Sequence, residues 1–261
     1  MPAITGDATV WVTHFLMIVT RMSGMFLLSP LFGRANMPAM IKILMSVTMA
    51  FIVVQFFPPP EALPPTLFHF ALAMLGELMV GLIIGYITSL FFSVVYTAGQ
   101  FIDTQIGFGM VQIYDVSTNA QVPVAGSLFN IVLMLCALLA NAHVRLIRWL
   151  FLTFQVIPVG HVELKPQIGR LMAQGFVEAF LIALTIALPI IASAMVAEVA
   201  LGILVRTTPQ MNIFVVGIPL KVVLGLLMLA VLAPLFMNYT NVVFERMYLM
   251  INEVIPVMAP D

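Results

Sequence analysis

Six ionisable residues lie within long apolar stretches of the chain, where a charge is expensive to keep. They are three acids and three bases, namely Arg21, Glu77, Glu178, Glu198, Arg206 and Lys221. Ionisable groups in such a position often mark a path for protons or ions. The equal numbers of acids and bases favour a second interpretation, in which these side chains form ion pairs between helices or between subunits.

The other residues capable of chemistry do not form a recognisable catalytic or metal-binding pattern. The sequence has no HExxH motif, and its four histidines are scattered without metal-ligand spacing. The one cysteine, Cys136, lies in an apolar run, so we expect no disulfide and no cysteine metal site. Ten basic against eleven acidic residues leave no basic stripe for nucleic acid. We therefore expect no enzyme activity, cofactor, metal or nucleic-acid partner.

The composition is that of a helical membrane protein. Of 261 residues, 62% are hydrophobic and 8% are charged, whereas a soluble domain has about 25% charged residues. Five runs without Asp, Glu, Lys or Arg together cover close to half of the chain. Most of them are long enough to cross a hydrocarbon core as a helix. No run alternates apolar and polar residues over the length of a strand, so the sequence predicts an all-α integral membrane protein.

About six apolar segments organise the chain, and we expect them to form bent helical hairpins and broken helices. These segments are residues 10–32, 39–57, 67–96, 122–140, 171–205 and 212–239. The connections between them include a proline-rich connector at 58–65, a central polar loop at 99–121 and a basic loop at 143–170. We interpret the whole chain, 1–261, as a single membrane-embedded domain.

The long segments contain residues that can interrupt a helix. Segment 67–96 would be about 45 Å long as one helix, whereas the hydrocarbon core is about 30 Å thick. The basic connections near Arg34 and Arg145 should lie on the same side of the membrane. That arrangement requires one long segment, either 67–96 or 171–205, to bend back as a hairpin. In the last segment, Gly217 and Pro219 are expected to produce a bend, because proline removes a backbone donor.

Four sequence phrases together resemble a known family. They are 21–30 (RMSGMFLLSP), 76–85 (GELMVGLIIG), 98–107 (AGQFIDTQIG) and 206–221 (RTTPQMNIFVVGIPLK). In this order and at this chain length they resemble the FliR family of flagellar biosynthesis proteins over essentially the whole chain. Two positions depart from the family pattern. Val116 follows Asp115 where the family often has proline, and Asn141 and Ala142 precede His143 where the family often has a glycine.

The resemblance implies a structural role in protein export. Members of this family assemble with FliP and FliQ into a helical pore, with FlhB alongside, in the bacterial inner membrane at the flagellar basal body. The pore passes unfolded flagellar proteins. A subunit of a virulence type III secretion gate is the nearest alternative. A secondary transporter of ions or small solutes is a further one, although the sequence shows no matching halves.

The central stretch 107–121 combines glycines, apolar bulk and polar side chains. A lipid-facing loop of this kind would leave its backbone groups without partners, so it must face water or protein. A solvated turn between two helices would meet this requirement, and so would a plug that blocks an aqueous lumen. The family resemblance favours the plug, with candidate gate residues Gly107, Phe108, Gly109, Met110, Ile113 and Tyr114.

Overall fold

The computed structural model describes residues 8–32, 37–59, 66–108, 113–115, 120–208 and 213–260. These residues form mainly helices, in the order α1 (Ala8–Leu28), α2 (Ala39–Val53), α3 (Leu67–Ile106), α4 (Val124–Leu139), α5 (Ala142–Val156), α6 (Gln167–Thr207) and α7 (Ile213–Val257). A short antiparallel pair, β1 (Ile113–Asp115) and β2 (Ala120–Val122), lies between α3 and α4 in the chain. The predicted helical fold is confirmed, and the strand pair is a feature that the sequence did not indicate.

Helix length and composition confirm a membrane protein. In the described part of the chain, four helices are long and apolar enough to cross a membrane: α1, α3, α6 and the Pro219–Val257 part of α7. Helices α4 and α5 form a fifth candidate span if they are counted together, with a bend of 66° between them. Helix α2 is apolar but shorter, at 15 residues. Each of the six predicted apolar segments therefore corresponds to a helix.

Helix α3 extends further than the sequence suggested. It is one helix of 40 residues, so residues 99–106 of the predicted central loop are helical. Helix α6 is likewise continuous over 41 residues, with Pro189 inside it. The expectation that one of these segments folds back as a hairpin is therefore wrong. The physical reason is that a helix satisfies its own backbone groups, so in apolar surroundings it continues through polar or proline residues.

The predicted basic loop is mostly helical, and the predicted bend in the last segment falls inside a helix. Most of the stretch 143–170 is helical, in α5 and the first turn of α6, so that only residues 157–166 form a connection. Gly217 and Pro219 both lie inside α7, which is one helix of 45 residues. A bend at these two residues therefore stays a prediction.

The bend between α4 and α5 occurs at a residue with left-handed backbone geometry. Asn141 has φ 54° and ψ 35°. Asparagine adopts this conformation more readily than most residues other than glycine. Asparagine at position 141 therefore suits the bend.

The described residues form two compact units. Unit 1 draws its residues from Met1–Leu90, Leu138–Gly175 and Arg246–Asp261, and unit 2 from Phe91–Ala137 and Phe176–Glu245. Within unit 2, aromatic contacts join the helices. The Phe129 ring of α4 stacks on the Phe236 ring of α7, with 4.4 Å between centroids, and Phe101 of α3 meets Phe180 of α6 edge to face.

In unit 1, helices α1 and α3 cross at glycine residues. A Cβ atom on Gly81 would overlap the Arg21 carbonyl oxygen, and one on Gly24 would lie 2.7 Å from the Leu78 carbonyl oxygen. A Cβ atom on Gly85 would lie 3.4 Å from the Gly24 carbonyl oxygen. Small residues allow helix backbones to approach this closely in membranes. The GxxxG pattern of Gly81 and Gly85 is therefore a helix-packing motif in this chain.

We expect Gly81→Ala to destabilise unit 1, because the added methyl group would push the backbones of α1 and α3 apart. The free energy of unfolding should fall by about 1–3 kcal/mol. Thermal unfolding of the purified protein in detergent measures this change. Gly169→Ala is the matched control, since Gly169 is also helical in unit 1 but has nothing within 4 Å of a Cβ atom. Equal stability of the two variants would contradict the close crossing.

Candidate functional site

Arg21 of α1 and Glu77 of α3 form a buried ion pair inside unit 1. Arg21 Nε donates to Glu77 Oε2, and Arg21 Nη2 donates to Glu77 Oε1 at 3.1 Å. Both side chains are 0% exposed. A guanidinium that meets a carboxylate through two parallel hydrogen bonds has the strongest geometry for such a pair. Each residue lies about one turn before a glycine of the α1–α3 crossing, so this crossing brings the two side chains together.

Helix α5 and the turn after it supply the remaining partners of this pair. Arg21 Nη1 donates to Thr153 Oγ1 at 3.3 Å, and Nη1 and Nη2 both donate to the Ile157 carbonyl at 3.2 Å. The Arg21 Cζ atom lies 4.2 Å from the centroid of the Phe154 ring. A buried charge is tolerated when it is both paired and hydrogen-bonded.

The turn after α5 has the backbone geometry that this site requires. Ile157 has an extended backbone, with φ −118° and ψ 100°, so its carbonyl lies outside the helix and can accept from Arg21. Gly160 has φ +86°, a left-handed conformation that glycine adopts without strain. Its N–H donates to Glu77 Oε1 at 2.7 Å. The sequence-based reasoning missed these partners, because residues more than 80 positions away leave no local signal.

A second ion pair joins α6 and α7 in unit 2. Lys221 Nζ donates to Glu198 Oε1 at 2.9 Å. This pair differs from the first in its exposure, since the Lys221 side chain is 22% exposed and the Glu198 side chain 58%. The structure thus brings together four of the six charged residues that the sequence singled out, as two pairs.

Glu178 and Arg206 form no ion pair with any residue that the structure describes. Both are exposed on α6, and both belong to one row of exposed residues spaced three or four apart. We call this row the α6 stripe; its members are Glu178, Leu181, Thr185, Leu188, Ala192, Met195, Val199, Ile203 and Arg206. Residues at this spacing share one helix face. The stripe is about 42 Å long, with a carboxylate at one end and a guanidinium at the other.

The predicted gate residues are only partly described. Gly107 follows α3 directly and has φ +92°, and Phe108 is partly buried. Ile113 and Tyr114 lie in β1, where they pair with Val122 and Gln121 of β2. The other two candidates, Gly109 and Met110, lie outside the described residues.

Asp103, which lies within the predicted central polar loop 99–121, is 1% exposed on α3. Both of its carboxylate oxygens accept the N–H of Ala125, at 3.1 Å each, in the first turn of α4. Among the described residues, no group of three His, Cys, Asp or Glu side chains could hold a metal ion. The polar side chains with partners, which are those of Arg21, Glu77, Glu198, Lys221 and Asp103, join helices to one another.

We expect Glu77→Gln to destabilise the protein strongly, because it leaves the Arg21 charge buried without a counter-charge. Loss of one partner of a buried pair costs about 3–5 kcal/mol. Thermal or denaturant unfolding in detergent measures the effect. Glu163→Gln is the control, since the Glu163 carboxylate is 49% exposed and lies 3.8 Å from Lys165 Nζ. An exposed pair is worth at most about 1 kcal/mol, so similar losses in both variants would contradict the role of the buried pair.

Comparison with known proteins identifies relatives over nearly the whole chain. The family described as bacterial export proteins, family 1, matches residues 12–247. The flagellar biosynthetic protein FliR of Bacillus subtilis is 35% identical over 234 residues, which are 87% of this chain and 89% of that protein. FliR of Escherichia coli is 26% identical over 246 residues, 94% of each chain. FliR of Aquifex aeolicus is 28% identical over 206 residues, 79% of this chain and 80% of the relative.

These matches confirm the resemblance inferred from the sequence phrases. They extend from α1 into α7, so the Arg21–Glu77 pair, the Lys221–Glu198 pair and the α6 stripe all lie within the matched region. The chain therefore belongs to the bacterial export proteins, family 1, the family that these flagellar biosynthetic FliR proteins represent.

Proposed function

We propose that this chain is a structural, non-enzymatic subunit of the flagellar type III protein export apparatus. In this role it forms part of a pore and gate through which unfolded flagellar proteins cross the bacterial inner membrane. The observation that carries the proposal, beyond family membership, is the α6 stripe with its two charges, which have no ion-pair partner among the described residues. A stripe of this kind fits a helix that another subunit covers.

The two ends of the α6 stripe favour a protein cover over lipid alone. The whole stripe is about 42 Å long, whereas the hydrocarbon core is about 30 Å thick. Lipid chains would therefore cover the apolar middle of the stripe but would offer no fixed counter-charge to its charged ends. A neighbouring subunit can cover the whole face and can also offer opposite charges to Glu178 and Arg206. Exposed apolar surface of this extent is typical of a contact with protein or membrane.

Helix α7 supports the same proposal. Only 11% of its most apolar 18-residue stretch is buried by the rest of the chain. A helix this long with so little cover from its own chain requires cover from elsewhere. We propose that FliP and FliQ subunits provide it within a hetero-oligomeric helical pore at the flagellar basal body, with FlhB alongside. The relatives compared above are all named for flagellar biosynthesis, which favours flagellar over virulence export.

In this proposal the whole chain, 1–261, acts as one export-gate domain. Helices α3, α6 and α7 each contribute residues to both compact units, so neither unit is a separate segment of chain. Glu178 and Arg206 face partner subunits, whereas the other four charges hold helices of this chain together. Gly217 and Pro219 bend α7 within the assembly.

Residues 107–121, the part of the predicted central loop that follows α3, are proposed to be the plug of the pore, and the name central loop refers to this part from here on. Its polar side chains need water or protein as partners, which a lumen provides and lipid does not. The β1–β2 pairing gives part of the loop backbone its hydrogen-bond partners. Gly107, with its positive φ, allows the chain to turn away from α3 at the start of the loop.

Purification of the affinity-tagged chain from its flagellated host in mild detergent tests the proposal. FliP and FliQ subunits should accompany the chain in fixed ratio, as identified by mass spectrometry. A monomer or homodimer without partners would contradict the proposal and favour a secondary transporter.

Two variants in the same experiment test the plug. Deletion of residues 110–114 should leave the partners bound, because it removes no helix, but should raise ion leakage through membranes that contain the complex. Replacement of the same five residues by serine keeps the loop length and shows whether apolar bulk is what blocks the lumen. Intact assembly with a membrane as tight as before would show that this loop is not the plug.

A further inference from the structure

Helix α4 begins without a cap of its own. The residue before it is Pro123, whose side chain has no hydrogen-bond acceptor, although the first amides of a helix need acceptors. The carboxylate of Asp103, 22 positions earlier in the chain, provides one for Ala125. The cap of α4 therefore comes from another helix, so this hydrogen bond also ties α4 to α3.

The same two helices touch at the level of their backbones. A Cβ atom on Gly99, one turn before Asp103, would overlap the backbone nitrogen and Cα of Gly126. A Cβ atom on Gly126 would lie 3.0 Å from the Tyr96 carbonyl oxygen. Glycine at both positions sets the separation of the helices, and the Asp103 carboxylate sets where α4 starts. We call Gly99, Asp103, Ala125 and Gly126 the α3–α4 clamp.

The clamp lies at the two ends of the central loop. Helix α3 ends at Ile106, and the chain turns at Gly107, where a Cβ atom would have nothing within 4 Å. After the strand pair the chain returns at Pro123 directly into the first turn of α4. The loop therefore leaves from the clamp and comes back to it.

We infer that Asp103 is a positioning residue of the gate, which closes the base of the central loop and so holds the β1–β2 pair in place. This inference rests on the proposed function, in which the loop is the plug. The charge contributes, because a carboxylate at a helix N-terminus faces the positive end of the helix dipole. Asparagine would offer one neutral acceptor oxygen and would direct its own donors toward the amides.

A purely local role must be separated from the clamp. If Asp103 only satisfies an amide, a cap supplied by α4 itself should replace it. Pro123→Ser supplies that cap, since serine before the first helical residue accepts from the next amides. The double variant Asp103→Ala/Pro123→Ser therefore restores the start of α4 without restoring the tie to α3, and Pro123→Ser alone controls for the loss of proline.

Hydrogen exchange of the assembled complex, measured by mass spectrometry, provides the direct test. Asp103→Asn and Asp103→Ala should speed amide exchange in the first turn of α4 and in β1 and β2 by roughly tenfold or more, because a hydrogen bond to a charged group is lost. Thr104→Ala is the control from the same turn, since Thr104 is exposed and its hydroxyl donates only to the Gln100 carbonyl. If Asp103→Ala fails to assemble, Asp103→Asn, which keeps the side-chain shape, carries the test.

In the double variant, the first turn of α4 should regain slow exchange, whereas β1 and β2 should stay fast and ion leakage should stay high. Unchanged exchange of the strands in Asp103→Asn, or slow strands in the double variant, would overturn the inference. The inference would also be overturned if the Asp103 variants showed fast amide exchange in β1 and β2 without ion leakage while deletion of 110–114 did cause leakage. If neither the Asp103 variants nor the deletion caused leakage although β1 and β2 exchanged fast, the clamp would stand and the plug proposal would fail.

Discussion

The buried pair of Arg21 and Glu77 is the interaction on which unit 1 depends. Its charges lie out of water, so the pair persists only because hydrogen bonds from α5 and the following turn complete it. The pair forms because Gly24 and Gly81 let α1 and α3 approach at backbone distance. Close packing of glycines and pairing of charges are thus one arrangement, in which each requires the other.

The charged residues of unit 2 are only partly paired among the described residues. Glu198 and Lys221 pair with each other, but Glu178 and Arg206 at the ends of the α6 stripe have no partner among the described residues. A charge beside an apolar face is expensive unless something of opposite charge covers it. A subunit that is stable only beside its neighbours in an assembly should have charged residues whose partners lie on those neighbours. The function proposed for the chain is supported by this contrast between Arg21 and Glu77, which pair within the chain, and Glu178 and Arg206, which have no partner among the described residues.

The apolar segments could be predicted because length and hydropathy alone decide whether a helix can cross a membrane. The ends of the helices could not be predicted. Helix α3 continues to Ile106, and Asp103 near its end accepts a hydrogen bond from α4, a contact that no local sequence pattern indicates. The charged residues were visible as unusual residues and ion pairing was expected of them, but the sequence did not indicate which residues pair with which. Thr153, Ile157 and Gly160 meet Arg21 or Glu77 only through folding of distant parts of the chain. The assignment of residues 107–121 as a plug stays a prediction.

The central claim is that another protein covers the α6 stripe. Site-specific photo-cross-linking from Leu188, in the middle of the stripe and 49% exposed, tests it in the living, flagellated host. The account predicts covalent adducts with other membrane subunits of the export apparatus. A probe at the fully buried Leu133 should give no adduct with another protein and serves as the control. Adducts from Leu188 with lipid alone would contradict the account.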